Sequence, residues 1–252
     1  MNYGLYLSAS GVLTSSYRQD VIANNIANSE TVGFKKDLAL LQQRPTAAQE
    51  LARSDQTNSV LEPIGGGLLA SSTVVDSRPG EIEPTGNNFD VALQGKGFLA
   101  VSSGGEIHLT RNGQMILDRA GRLVLSNDPN QAVLDSKQSP IVLDSTTPTT
   151  IATDGTITQN GKVMATLGLF DVSDPSALRK EGATLLSTPA GAQLDRAVPT
   201  VRSGFVERSN VDPATELTEL MDTQRQLEAN ANMIHIQDET LDKLVNDVGK
   251  IS

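Results

Sequence analysis

Five aliphatic residues recur at a strict interval of seven near the C-terminus: Leu220, Leu227, Ile234, Leu241 and Val248. In a helix that spacing draws one narrow stripe, the pattern of a seam made to meet another helix. Asp212-Pro213 supplies a start, since aspartate caps free N–H groups and proline fits the first helical position. A helix from Pro213 to Val248 is roughly 55 Å long at about 1.5 Å per residue. No compact domain built from 252 residues covers such a helix along its whole length, so the seam calls for partners outside its own chain. The companion positions of the repeat are expected at Leu217, Gln224, Ala231, Asp238 and Val245, a mixed set that excludes a simple two-stranded zipper.

The N-terminus predicts a second helix over residues 2–28. Leu5, Ala9, Val12, Ser16, Gln19, Ala23 and Ile26 recur at alternating spacings of four and three. Small residues crowd this face (Ser8, Ser10, Gly11, Ser15), which suits close approach of another helix. Gly4 and Gly11 each cost about 1 kcal/mol relative to alanine, so this helix also depends on partners. Asn24, Asn25 and Asn28 close it, because asparagine tolerates the left-handed conformation of helix ends.

Between the helices the texture changes to short strands and turns. Residues 89–93 and 98–101 flank Gly95-Lys96-Gly97, and residues 107–110 and 114–117 flank Arg111-Asn112-Gly113; both read as hairpins. Further turns fall at Ala120-Gly121, Asp154-Gly155 and Asn160-Gly161, with strands at 141–143, 155–158 and 162–172. The fold class expected is α+β: terminal helices pairing as a coiled-coil-like stem, with a central all-β domain. Its parts are residues 1–36, a connector over 37–84 that is partly helical around 46–52, the β domain over 85–205, and residues 206–252.

Composition narrows the function. A net charge of −10 with no basic cluster opposes binding to nucleic acid or anionic lipid. The absence of cysteine removes disulfides, thiolate nucleophiles and zinc-thiolate sites, and the two histidines, His108 and His235, are far apart. No metal or cofactor is expected. Gly95-Lys96-Gly97 lacks the spacing of a phosphate loop, and Asp128, Asp135, Asp144, Asp154, Asp171 and Asp174 sit where aspartate serves turns. No run approaches eighteen apolar residues, so no lipid-spanning segment is expected. The opening residues carry no basic, apolar leader, which points to a cytoplasmic protein or one exported without cleavage.

One block has no chemistry yet is strongly patterned: Ala23-Asn24-Asn25-Ile26-Ala27-Asn28-Ser29-Glu30-Thr31-Val32-Gly33-Phe34-Lys35. It resembles the A-N-N-x-A-N-x-x-T-x-G-F-K signature of bacterial flagellar rod and hook proteins. In the same order, residues 90–101 resemble the family's D-V-A-[IL]-x-G-x-G-F-F-x-V, and Thr110-Arg111-Asn112-Gly113 resembles T-R-N-G. Gly204-Phe205-Val206-Glu207-Arg208-Ser209-Asn210-Val211 is similar to G-x-[LV]-E-x-S-N-V. Leu227 and Leu99 stand where the family usually shows aromatics.

The resemblance implies a non-enzymatic structural subunit of the basal-body rod, proximal or distal, whose terminal helices assemble into a tubular core. It implies export by the flagellar type III apparatus without a cleaved signal, a periplasmic location, and partners among copies of itself and other rod/hook subunits. The assembly residues expected are Leu5, Val12, Asn24, Asn25, Ile26, Asn28, Gly33, Phe34, Asn210, Leu217, Leu220, Leu227, Ile234, Leu241 and Val248. Two other classes stay open on the residues alone: a hook-type or secreted coiled-coil adhesin, and a hydrolase using carboxylates of the β domain.

Overall fold

The computed structural model describes residues 2–43, 67–189 and 194–248, with the side chains of residues 2, 3, 247 and 248 left aside. The helical turn expected near 46–52, Gly65-Gly66 and the Val248 side chain lie outside what is described. The chain forms two compact units. One comprises Met1–Ile26, Leu38–Thr73 and Pro213–Ser252; the other comprises Ala27–Asp37 and Val74–Asp212.

The helical unit holds α1, Asn2–Ala27, and α2, Pro213–Val248. A two-stranded antiparallel ladder of Leu41–Gln43 with Leu68–Ala70 accompanies them, and Tyr17 Oη donates to the Ser71 carbonyl at 2.7 Å. On α2, Leu220, Leu227, Ile234 and Leu241 are half-buried as the seven-residue repeat predicts. Their companions differ from expectation. Leu217, Gln224, Ala231, Asp238 and Val245 are exposed, and the covered positions are Glu216, Thr223, Asn230 and Gln237, one residue earlier.

The reason lies on α1, where glycines leave the helix backbone bare. The Gln237 amide nitrogen lies 2.9 Å from where a Cβ on Gly4 would stand, and the Asn230 amide lies 2.6 Å from the same point on Gly11. A bare backbone offers no side chain for an aliphatic knob to interlock with, but leaves room for a polar chain to lie flat. The α1 stripe is displaced likewise. Ser8, Ser15 and Ile22 are buried, Ser16 and Ala23 are exposed, and Leu5, Val12, Gln19 and Ile26 are half-buried flanks.

The β unit is antiparallel throughout its named pairings. Its largest sheet runs in the order Arg179–Glu181, Leu185–Ser187, Glu106–Thr110, Phe98–Ser103, Asp128–Val133, Leu123–Leu125 and Met115–Leu117. Leu169–Val172 also pairs with Phe98–Ser103 and with Leu194–Arg196. Along Phe98–Ser103, Leu99 and Val101 enter one apolar cluster while Phe98 and Ala100 enter another. Because successive side chains point to opposite faces, this strand is buried on both sides, which accounts for four consecutive buried residues. Smaller sheets join Thr149–Ile151, Thr156–Gln159 and Lys162–Thr166, then Val91–Gln94 with Thr200–Ser203, and Ile82–Pro84 with Phe205–Glu207.

Two expected hairpins are not hairpins. Val91–Gln94 pairs with Thr200–Ser203, and Phe98–Ser103 pairs with Glu106–Thr110, so Gly95-Lys96-Gly97 carries the chain between sheets. The tight turn instead lies at Gly104-Gly105, with φ of 61° and 89°. Arg111-Asn112-Gly113 is not a hairpin turn either: it joins Glu106–Thr110 to Met115–Leu117, which lie in the same sheet with three strands between them, and neither Asn112 nor Gly113 has a positive φ. Glycine is required there by proximity: a Cβ on Gly113 would stand 1.7 Å from the Val91 carbonyl oxygen. Asn160-Gly161 does form the expected hairpin, with φ of 50° and 74°. The single strand expected over 162–172 is interrupted at Gly168, where a Cβ would meet the Asp135 carbonyl at 2.6 Å. Residues 141–143 form a single isolated bridge, Val142 with Arg122.

Candidate assembly site

The patterned segments converge within the β unit on one buried ionic cluster. Gly33 adopts φ of 71°, and a Cβ on it would stand 2.2 Å from the Asn112 backbone nitrogen, so only glycine passes here. Its N–H donates to the Glu207 carbonyl at 2.7 Å. Phe34 follows, fully buried, with the Lys180 ammonium 3.7 Å from its ring centroid. Lys35 then points inward, its Nζ donating to Glu207 Oε1 and to the Arg78 carbonyl at 2.9 Å. The other Glu207 oxygen accepts from Arg111 Nη1 at 2.9 Å, and Gly80 N–H donates to Oε1 at 3.0 Å.

Arg111 is itself fastened to backbone, donating to the Leu93 carbonyl at 3.2 Å and the Gly95 carbonyl at 2.7 Å. Side chains of Lys35, Arg111 and Glu207 are 2%, 4% and 1% exposed, so one carboxylate compensates two cations out of water. Burial lowers the Lys35 pKa below its ordinary 10.5, a pull that Glu207 opposes without cancelling. Alongside, Lys180 donates to Asp37 Oδ2 at 2.8 Å and to the Lys35 carbonyl, and burial lowers its pKa too. Asn210 ties the same strands, accepting from Lys36 N–H at 2.7 Å and donating to the Asp76 and Arg78 carbonyls at 3.0 and 3.1 Å.

Such a cluster fastens segments of the chain to one another. Glu207 has both oxygens engaged, and buried ion pairs of this kind add specificity more readily than stability. Five of the six aspartates expected to serve turns do so, whereas Asp171 lies within the strand Leu169–Val172 and accepts the N–H of Val172 beside it. Asp118, Asp128, Asp135, Asp144, Asp154 and Asp174 each accept the backbone N–H two residues on. Among the described residues no group of three His, Cys, Asp or Glu side chains could hold a metal ion, and no helix is long and apolar enough to cross a membrane.

Three family models match the chain in sequence. Residues 5–35 match the model of the flagella basal body rod protein, residues 92–165 that of the flagellar hook protein FlgE/F/G D1 domain, and residues 202–247 that of the flagellar basal body rod FlgEFG protein C-terminal region. The flagellar basal-body rod protein FlgF of Caulobacter vibrioides is 31% identical over the whole of both chains. FlgG of Bacillus subtilis is 30% identical, covering 96% of this chain and 97% of its own. FlgF of Salmonella typhimurium is 28% identical over 95% of each. The chain belongs to the flagellar rod/hook protein family.

The three matched segments of this rod-family chain each contribute one charge to the cluster: Lys35 closes the first, Arg111 lies in the second and Glu207 in the third. None of the three stands among the sequence-predicted assembly residues, nor does Lys180. Arg111 is the lone charge of its short block, but Glu30 accompanies Lys35 and Arg208 follows Glu207, so no sequence signal singled the three out together. Of the expected residues, Gly33, Phe34 and Asn210 meet at the cluster. The others lie elsewhere: Leu5, Val12 and Ile26 half-buried on α1, Asn25 buried, Asn24 exposed and Asn28 half-buried just after the helix.

Proposed function

We propose that this chain is a structural subunit of the bacterial flagellar basal-body rod, polymerising through α1 and α2 into a tubular axial structure. The reading includes an antiparallel, coiled-coil-like stem of the two helices, export by the flagellar type III apparatus without a cleaved signal, and neighbours drawn from the same family. One observation carries it beyond the family likeness: the terminal helices keep large apolar side chains in water. Leu13 is 72% exposed, Ile236 58% and Met233 51%. Tyr6 and Leu13 of α1 border a groove of about 250 Å³ with Leu68 and Leu69 of the strand Leu68–Ala70. Exposed apolar rows of this kind mark surfaces that other chains cover, and contacts repeated from copy to copy without closing give a helical tube.

The test is Ile236→Asp, at a side chain that is 58% exposed in the single chain. The variant should express and keep the β unit folded by hydrogen exchange, yet fail to enter isolated basal bodies and leave cells non-motile. Normal incorporation of the Asp variant would sink the reading.

A further inference from the structure

Three facing pairs between α1 and α2 share a single register. Gly4 lies under Gln237 and Gly11 under Asn230, so a step of seven along α1 matches a step of seven back along α2. Two heptads on, Asn25 Nδ2 donates to Glu216 Oε2 at 3.2 Å, with both residues 1% exposed. Arg18 occupies the layer between, facing the fully buried Thr223, and its Nη1 reaches Gln226 Oε1 at 3.5 Å. The facing positions on α2 are therefore all polar: Glu216, Thr223, Asn230 and Gln237. Aliphatic residues there would bury more apolar area, so stability alone does not explain the choice.

We infer that these polar layers are a register lock, in which Asn25 and Glu216 select one alignment of the terminal helices against slippage by a heptad. The inference rests on the helix-pair reading above. Sliding one heptad in one direction sets Asn230 over Arg18, where a long cationic chain replaces the bare backbone of glycine. Sliding the other way keeps glycines under Asn230 and Thr223, and sets Arg18 opposite Glu216. That second alignment is the real competitor, because it offers an ion pair. It is disfavoured because Asn25, buried at the end of α1, then faces the chain ahead of α2 and loses Glu216. A buried polar position that specifies alignment at a cost in stability is the established use of such residues in paired helices. Asn25 acts here as a positioning residue, and Glu216 is the group that discriminates.

The absence of native cysteine makes the test direct. Ser8 lies between Gly4 and Gly11, and Ile234 lies between Gln237 and Asn230, so the two share a layer. In the full-length chain, Ser8→Cys with Ile234→Cys reports the native alignment, and Ser8→Cys with Leu227→Cys reports the competing one. Under mild oxidation the first pair should close within the chain at least about tenfold faster, the ratio expected for one buried hydrogen bond to a charged group. Asn25→Leu should raise closure of the second pair by about the same factor, and adding Arg18→Ala should reverse that rise.

Equal closure of both pairs in the parent chain overturns the lock while leaving helix pairing intact. No effect of Asn25→Leu, or a rise that survives Arg18→Ala, overturns the roles assigned to Asn25 and Glu216. Failure of both pairs to close within the chain, or closure only between chains, removes the helix-pair reading itself.

Discussion

Replacing Glu207 with alanine isolates what the buried cluster contributes. The substitution removes the acceptor for three donors at once: Lys35 Nζ, Arg111 Nη1 and the Gly80 N–H. Two of these are cations with side chains under 5% exposed, so no water takes the carboxylate's place. Breaking a buried ion pair by deleting one partner costs about 3–5 kcal/mol, and Gly80 adds about 1 kcal/mol for an unmet N–H. Glu207→Gln keeps the shape but offers one oxygen and turns an NH2 towards a cation, so it should recover only about 1–2 kcal/mol of this. Urea unfolding of the full chain, followed by hydrogen exchange of strands 98–103 and 106–110, measures the loss. The pH response gives an independent check. Lys35 already has a folded-state pKa below 10.5 because burial disfavours its charge, and Glu207 is its largest opposing influence. Without Glu207 that pKa falls further. Between the folded value and 10.5 the unfolded chain then binds more protons than the folded one, so stability rises with pH. Glu207→Ala should therefore regain stability as pH climbs through the alkaline range, more steeply than the parent. A loss under about 1 kcal/mol, with an unchanged alkaline slope, would refute the idea that one carboxylate holds two buried cations.

Other expectations follow from the same geometry. Gly113→Ala should cost about 3 kcal/mol or more by thermal unfolding, since its Cβ would collide with the Val91 carbonyl. Gly161→Ala, at φ of 74° with nothing within 4 Å, should cost only about 1 kcal/mol from its left-handed backbone. Asp154→Asn should leave motility unchanged and lower the melting temperature only slightly at neutral pH, because the amide oxygen still accepts from Thr156 but without the charge. The Thr156 N–H holds the Asp154 pKa below 3.8, so its stabilising effect is present above that value and fades as pH falls below it. The Asn variant should accordingly lose that part of the acid sensitivity. Measurable hydrolytic turnover in the parent that disappears in Asp154→Asn would instead revive a catalytic role for the turn.

The sequence carried the elements whose signals are periodic. α2 is helical from Pro213 through Val248, the last described residue, and the described d positions Leu220, Leu227, Ile234 and Leu241 are half-buried. Periodicity names a stripe but not its second row, because the choice between Leu217 and Glu216 depends on what the other helix presents. Apolar character favours Leu217. The glycines of α1 favour Glu216, Asn230 and Gln237, and that information sits some two hundred residues away. The β unit failed in the same manner. Asn-Gly and Gly-x-Gly signals report where a chain needs glycine, and the structure shows two different needs. At Asn160-Gly161 the need is a left-handed turn, whereas at Gly33 and Gly113 a neighbouring backbone comes within 2.3 Å of a would-be Cβ. The first need is local and readable; the second is tertiary.

Long-range need also explains why the charges at the centre of the cluster escaped sequence reading. Lys35, Arg111 and Glu207 each look like ordinary solvated residues in their own segments, and only the fold makes them interdependent. A buried ionic cluster is a costly way to hold a β unit together, since apolar residues of equal volume pack as well or better. Its distinguishing property is dependence on Glu207: without the 207–210 segment, Lys35 and Arg111 both lose their carboxylate in the interior. The segment 33–37, which follows α1, therefore docks only on a β unit whose 207–210 segment, just ahead of α2, is already in place. For a subunit whose helices expose apolar rows, this dependence has a consequence for assembly. The segment that follows α1 is fixed only once the segment ahead of α2 is in place, so a half-folded β unit cannot present the docked α1 lead without the α2 lead.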